Sequence, residues 1–361
     1  MKKVALILVL LIGFIAGKAQ NQTPAENSII QNTAISGEWY LGFGYNDGTD
    51  INQFNLKRGY LTFKTKISDI LSVRYTQDIT TDTEGGDIGN VEMRLKYLYL
   101  KIDLKRNELL RNTYFEIGLV HRPWIDFEQK LTGYRVQGKM FLDRFDITTS
   151  ADFGITYAGL LGGKISDQYQ QKVSSDYPGR YGSFAIGVYN GGGYHALEKN
   201  NNKVIDGRFT LRPFPDAIPG VQISYAFAFG KSNVPGINAD YRLNLFHLST
   251  ESRIHKLMIQ YYRGTGGHDG DYLDLLGYSY KNDGFSAFGE FLIPDTKFSI
   301  LGRFDRFNSH QDEKYIEDTY IGGIAYRFLE NKVLLNYDQK KIGDQSVRLY
   351  EIALEINFQV R

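Results

Sequence analysis

An all-β chain, folded as a transmembrane antiparallel β-barrel of about 16 strands, is what the sequence predicts. Three observations carry it: a secretory leader, apolar residues recurring at period two over most of the chain, and connections that alternate short and long. Met1 to Ala19 reads as the leader. Lys2 and Lys3 form its positive end, Val4 to Ala16 is an apolar run, and Gly17 and Ala19 flank the expected cleavage point. An apolar run this short fits a signal peptide better than a spanning helix, which needs ~20 residues.

Composition bounds the rest. Without Lys2, Lys3 and Lys18 the 42 basic residues fall to 39, against 41 acidic, leaving a net charge of −2. No global field draws in nucleic acid, so no nucleic-acid partner is expected. The absence of Cys excludes disulfides, thiol catalysis and lipid attachment at a cysteine. With 26 Tyr, 23 Phe, 38 Gly and a mean hydropathy of −0.34, the chain has the profile of strands with one lipid face and one wet face.

The elements follow in order. Residues 20–37 are a polar lead-in, and the barrel is expected over 38–361. Trp39, Leu41, Phe43 and Tyr45 alternate with smaller or polar neighbours before the Asn46-Asp47-Gly48 turn. Leu71, Val73 and Tyr75 oppose Ser72, Arg74, Thr76 and Asp78; Val91, Met93, Leu95, Tyr97 and Tyr99 oppose Glu92, Arg94 and Lys96. Phe115, Ile117 and Leu119 oppose Glu116 and Gly118, and the chain closes on Tyr350, Ile352, Leu354, Ile356, Phe358 and Val360 against Glu351, Ala353 and Glu355. Counted back from the end, the strands are 346–360, 331–341, 317–329, 297–307, 284–293, 254–263, 240–251, 219–230, 203–212, 181–190, 151–162, 112–122, 90–104, 70–80, 53–66 and 38–46, an even number. Connections such as 67–69, 294–297 and 329–331 are short, whereas 81–89, 123–150, 191–202, 231–239, 264–283 and 308–316 are longer; 163–180 is long on the short side.

The stretch 121–150 stands out. It opens on Pro123-Trp124, a loop anchor, and interleaves Phe127, Tyr134, Phe141 and Phe145 with Lys130, Arg135, Lys139 and Arg144 and with Asp126, Glu128, Asp143 and Asp146. It reads as a loop folded into the barrel lumen, the alternative being a surface loop of a soluble β-rich protein.

The Phe54-Asn55-Leu56-Lys57-Arg58-Gly59-Tyr60 strand, the His121-Arg122-Pro123-Trp124 turn, the run from Tyr134-Arg135 to Phe141-Leu142-Asp143-Arg144 and the Ser150–Ile155 segment together resemble the phosphate-selective porin family (porins O and P) of Bacteroidetes-type outer membranes. The resemblance implies a 16-stranded trimeric barrel that conducts anions past inward Arg and Lys residues. It implies outer-membrane lipid and the barrel-assembly machinery as partners, and small anionic or neutral solutes as cargo.

Rings of Arg or Lys lower the barrier for anions and rings of Asp or Glu do so for cations. The candidate lining is therefore Arg58, Arg74, Arg94, Lys96, Arg122, Arg135, Lys139 and Arg144, faced by Glu116, Asp126, Glu128 and Asp143. For each of these alone, pairing with a neighbour on the wall is the simpler expectation; the group as a whole reads as a lining. Trp39, Tyr45, Tyr99, Tyr350 and Phe358 suit interfacial girdles. The six His are scattered without zinc spacing, and His268-Asp269-Gly270-Asp271 with Asp274 lacks the spacing of a calcium loop, so neither metal nor cofactor is expected. Gly191-Gly192-Gly193 and 264–270 read as flexible outer loops, having no phosphate-loop signature. No nucleophile is placed beside a base, so no enzyme is expected. The reading is a passive diffusion pore for small hydrophilic solutes, anions such as phosphate among them. A channel specific for polyphosphate or oligosaccharide and a non-conducting structural or adhesive barrel are the alternatives.

Overall fold

Sixteen strands form one closed antiparallel barrel in a computed structural model that describes residues 32–82, 86, 88–104, 110–311 and 315–360. In order they are β1 (Thr33–Asn46), β2 (Ile51–Lys66), β3 (Leu71–Thr81), β4 (Val91–Asp103), β5 (Leu110–His121), β6 (Ala151–Leu161), β7 (Gly182–Tyr189) and β8 (Val204–Leu211), then β9 (Gln222–Lys231), β10 (Asp240–Glu251), β11 (His255–Thr265), β12 (Lys281–Leu292), β13 (Phe298–Ser309), β14 (Tyr315–Phe328), β15 (Asn331–Ile342) and β16 (Gln345–Val360). Each pairs with its sequence neighbours, and β1 pairs with β16 from Ile35↔Val360 to Asn46↔Leu349, which removes both edges. The expected signal peptide lies outside the described residues. Strand β1 begins at Thr33 and not at residue 38: apart from Ile35, Thr33 to Gly37 are small or polar, so they hide the alternation, yet they are needed to match the length of β16.

Ile35↔Val360 puts the first and last strands' outer ends together, so one rim of the barrel carries both described termini. Connections at that rim include 67–70, 252–254, 293–297 and 329–330; the opposite rim carries 82–90, 122–150, 190–203, 232–239 and 266–280. The length asymmetry is not uniform, because 47–50 and 343–344 at the opposite rim are tight turns. At the terminal rim, 162–181 is long, as expected of 163–180, and it carries a short helix. The 270–281 stretch, which is strand-like in sequence, forms a bridge between Leu273 and Ser279 within an outer loop and adds no strand to the wall.

The outward faces are apolar. Phe246, Leu248, Ile259, Phe285, Ile300, Ile324 and Ile352 stay exposed, as a lipid-facing belt requires, while their strand neighbours turn inward. The inner face divides in two. On the loop-rim half of β8 to β11 it is apolar: Val204, Ala226, Ala228, Tyr241, Leu243, Leu245 and Tyr262 are fully buried beneath Trp124, Phe127, Phe141, Leu142, Phe145 and Ile147 of the 122–150 loop. Burial at ~25 cal/mol per Å² of apolar surface makes this a true core, inside the barrel. On β1 to β4 the inner face is polar and left open.

Two β-bulges shape that open side. In the β1–β2 ladder Tyr40 pairs with Arg58 and Leu41 with Leu56, so Lys57 is the extra residue. In the β3–β4 ladder Thr76 pairs with Tyr97 and Gln77 with Leu95, so Lys96 is extra. A bulge re-aims the side chains on either side of it. Lys96 and Tyr97 therefore both turn inward and are buried. This corrects the expected face of Tyr97 and Tyr99: beyond the bulge the alternation shifts by one, Leu98 faces out at 46% exposure, and Tyr99 lies inside and not in an interfacial girdle.

Candidate functional site

The 122–150 loop crosses the barrel interior. It begins with Arg122, 1% exposed, whose Nε donates to Asp206 of β8 at 2.9 Å between the rings of Tyr189 and Tyr241. Helix α1 (Ile125–Thr132) follows and ends on Gly133, whose φ of 70° is the left-handed cap that glycine adopts without strain. Its buried face carries Ile125, Phe127 and Leu131. Glu128 on that face is fully buried and accepts three hydrogen bonds: Trp124 Nε1 at 3.0 Å, Gln260 Nε2 from β11 at 2.7 Å, and the Phe141 amide at 3.3 Å. Burial pushes its carboxyl up, against the pull of the Arg303 guanidinium and these donors.

The loop then reaches the far wall. Tyr134 donates to Glu290 of β12 at 2.5 Å, Gln137 to Asn336 of β15 at 2.7 Å, and Lys332 of β15 to the Gly133 carbonyl at 2.9 Å. Arg303 of β13 donates to the Lys139 carbonyl at 3.0 Å. Helix α2 (Phe141–Arg144) places Arg144 against Asp338 at 3.3 Å and Asp305 at 3.9 Å. From the terminal rim the 162–181 connection, with helix α3 (Asp167–Lys172), folds up beneath the loop. Tyr177 donates to Asp126 and packs on Phe127 with ring centroids 5.0 Å apart, and Asp176 lies 3.8 Å from Lys130. Burial acts to raise the Asp126 carboxyl, but His121, Lys130 and the Tyr177 hydroxyl outweigh it and hold it well below the usual carboxylate range.

Space is left open between the loop and the barrel wall, in two parts. The part at the loop rim is a cavity of about 1040 Å³ that includes Arg58, Arg94, Lys139 and Asp143 in its wall. The part at the terminal rim is a cavity of about 590 Å³ that includes Arg74, Asp126 and Lys130. Among the described residues Lys96 and Arg135 are the two that line both, so the two cavities meet at them. Lys96 donates to the Tyr60 hydroxyl at 3.0 Å, with Tyr60, Tyr97 and Tyr194 rings 4.2, 5.7 and 6.0 Å from its ammonium. Arg135 has a buried Nε without a hydrogen-bond partner among the described residues. Among the described residues neither cation has a carboxylate within 4.0 Å, whereas Arg58 is paired with Asp78 and Arg94 with Glu92.

The twelve residues singled out in the sequence thus fall into two groups. Arg58, Arg74, Arg94, Lys96, Asp126, Arg135, Lys139 and Asp143 line the two cavities. Glu116, Arg122, Glu128 and Arg144 do not: Glu116 sits 3.5 Å from His121, and the other three hold the loop to the wall. Lys57, like Arg58, turns inward and pairs with Glu351. Sequence reading missed Tyr60 and Tyr194. The Gly191-Gly192-Gly193 run is buried and not an exposed flexible tip; the Gly191 amide donates to Asp152 at 2.7 Å, and Tyr194 reaches in to donate to Asp78 at 3.0 Å and accept from Arg58 at 2.6 Å. An aromatic directly after a glycine run was the available signal.

The closed barrel is the fold of the porins. No protein-family model matches the chain, and no characterised protein matches it by sequence. Solved structures do match. The anion-selective porin from Comamonas acidovorans superposes with a TM-score of 0.61 at 11% identity, covering 90% of this chain and 99% of that one. OmpF of Salmonella typhi, in complex with daunomycin, gives 0.58 at 12% identity over 90% and 97%. A loop L8 deletion mutant of OmpT, an outer membrane protein of Vibrio cholerae, gives 0.60 at 11% identity over 90% and 99%. Identities this low establish the fold.

Proposed function

We propose that this protein is an outer-membrane porin through which small hydrophilic solutes diffuse passively, with a preference for anions such as phosphate. One observation carries the preference. The two cavities meet at Lys96 and Arg135, and neither has a carboxylate partner within 4.0 Å among the described residues. Unpaired cations in a narrow, low-dielectric passage lower the electrostatic barrier for an anion and raise it for a cation. The charges that pair off, such as Arg122 with Asp206 and Arg144 with Asp338, position the loop that forms one side of the passage. Glu116, Arg122, Glu128 and Arg144 then act through position, and Arg58, Arg74, Arg94, Asp126, Lys139 and Asp143 as vestibule charges. The lipid-facing belt fits residence in the outer membrane after removal of residues 1–19, with insertion by the barrel-assembly machinery and association into a homotrimer in the manner of the porins O and P that the sequence resembles.

Refolded protein in planar bilayers tests the reading. Discrete conductance steps that grow in proportion to KCl concentration are expected of a diffusion porin. Saturation of the current by phosphate would narrow the assignment to a solute-specific channel. Bilayers that show no steps would overturn the pore and leave a structural barrel.

A further inference from the structure

We infer that the passage is electrically polar along its axis and passes current unequally in its two directions, a property that rests on the pore reading above. Among the described residues, and leaving aside the two shared cations, the loop-rim cavity is lined by three basic residues and six acidic ones, a net of −3. Five of those acids, Asp82, Asp143, Asp146, Asp269 and Asp271, come from the loops. The two histidines on the same wall do not offset them, because burial holds the imidazoles of His195 and His268 below their usual range and so neutral at pH 7. Lys96 and Arg135 add +2 where the two cavities meet. The cavity at the terminal rim carries six further basic residues against five acidic, a net of +1. Along the axis the fixed charge therefore runs from −3 through +2 to +1, with the sign changing where the two cavities meet.

Such an arrangement rectifies. The acidic cavity is enriched in cations, and the junction with the cavity beyond it is enriched in anions. When the loop side is made positive, cations leave the acidic cavity inward and anions leave the basic part outward. Both reach the junction, and salt accumulates there. Reversed polarity draws both away and depletes it. Current is therefore larger with the loop side positive. The effect requires that mobile ions do not screen the fixed charges. The Debye length is ~10 Å at ~0.1 M salt, comparable with the cavities, and ~3 Å at ~1 M, where the two halves cease to act on the ions between them.

The test is the current–voltage curve of single wild-type channels in planar bilayers, at equal voltages of opposite sign, in ~0.1 M and then ~1 M KCl. The expected result is a ratio of about 1.5-fold or more at the lower salt that falls close to unity at the higher. The variant combining Asp143→Asn, Asp269→Asn and Asp271→Asn, which brings the loop-side cavity to neutrality, should conduct with a ratio near unity at both. A second variant, Lys96→Gln with Arg135→Gln, removes the charge at the junction and should lower the ratio from the other side. Conducting wild-type channels with a symmetric curve at low salt would overturn the inference and leave the porin standing. So would rectification that survives at high salt or in the aspartate variant. The absence of any conductance would instead remove the pore on which the inference rests.

Discussion

Replacing Glu128 by Ala should free the inward loop from the barrel wall while leaving the barrel itself closed. Glu128 is fully buried and is the common acceptor for Trp124 Nε1, Gln260 Nε2 and the Phe141 amide, so its loss orphans three donors at once. Each buried donor left unpaired costs about 1–3 kcal/mol. Gln260 can turn and water can enter the vacated space, which puts the combined cost near the low end, about 3 kcal/mol. At 1.4 kcal/mol per decade, that raises the population of locally opened loop by roughly 100-fold. The cost is local because Glu128 belongs to no strand and the wall ladders from β1 to β16 do not pass through it. The chain has two tryptophans, Trp39 on the outer face of β1 and Trp124 at 2% exposure inside. In a Trp39→Phe background Trp124 is the sole indole, and acrylamide quenching reads the loop directly. Glu128→Ala should red-shift its emission and make it quenchable, whereas Glu128→Gln, which keeps an acceptor oxygen in place, should lie between. Unheated gel migration reports that the barrel has folded. A folded Glu128→Ala protein whose Trp124 stays as protected as in the wild type would refute the reasoning.

Three further outcomes are expected. Tyr177→Ala removes the ring packed on Phe127 and the hydroxyl that donates to Asp126; at about 3–5 kcal/mol for a large aromatic truncation, helix α1 loses its support and single-channel current should become larger and noisier. Asp126 has its carboxyl depressed in the folded loop, so its contribution is full above the ordinary carboxylate value of ~3.9 and is lost as pH falls below that toward its lowered folded value; Trp124 protection should fall on acidification in the wild type and fall less in Asp126→Asn. Gly118 has φ of 130°, and a Cβ there would lie 2.4 Å from the Leu98 carbonyl oxygen in the neighbouring strand, so Gly118→Ala should cost of order 1–3 kcal/mol or more and lower the yield of the fast-migrating folded form on gels.

The wall was legible because its signal is local. A strand with one lipid face must alternate, so β16 could be read residue by residue, and the sixteen-strand count follows from the same pattern. The alternation misleads where a ladder contact intervenes. The extra residue at Lys96 arises from pairing with Thr76 and Gln77, which the β4 sequence alone does not contain, and it moves Tyr97 and Tyr99 from the expected outer face to the lumen. The loop-rim half of the inner face of β8 to β11 is apolar for the same kind of reason, since it meets the aromatic side of a loop that begins at residue 122. Among the charges, composition could nominate Arg122, Arg135 and Arg144 equally. What separates them is the carboxylate each meets: Asp206 for Arg122, Asp305 and Asp338 for Arg144, and none within 4.0 Å for Arg135 among the described residues. Those partners lie on strands 84 to 194 positions away. Tyr194 was hidden likewise, because a glycine run reads as slack until Asp152 and Asp78 are seen to hold it.

Lys96 and Arg135, as proposed, favour anions where the two cavities meet, and the reversal potential of single channels under a KCl gradient reports that preference. The wild type should show a potential directed toward the chloride equilibrium value. Lys96→Gln with Arg135→Gln should shift it toward zero or toward potassium, by more than neutralising the paired Arg144 does. A wild-type potential directed toward potassium, or one that the double substitution leaves unmoved, would contradict that preference.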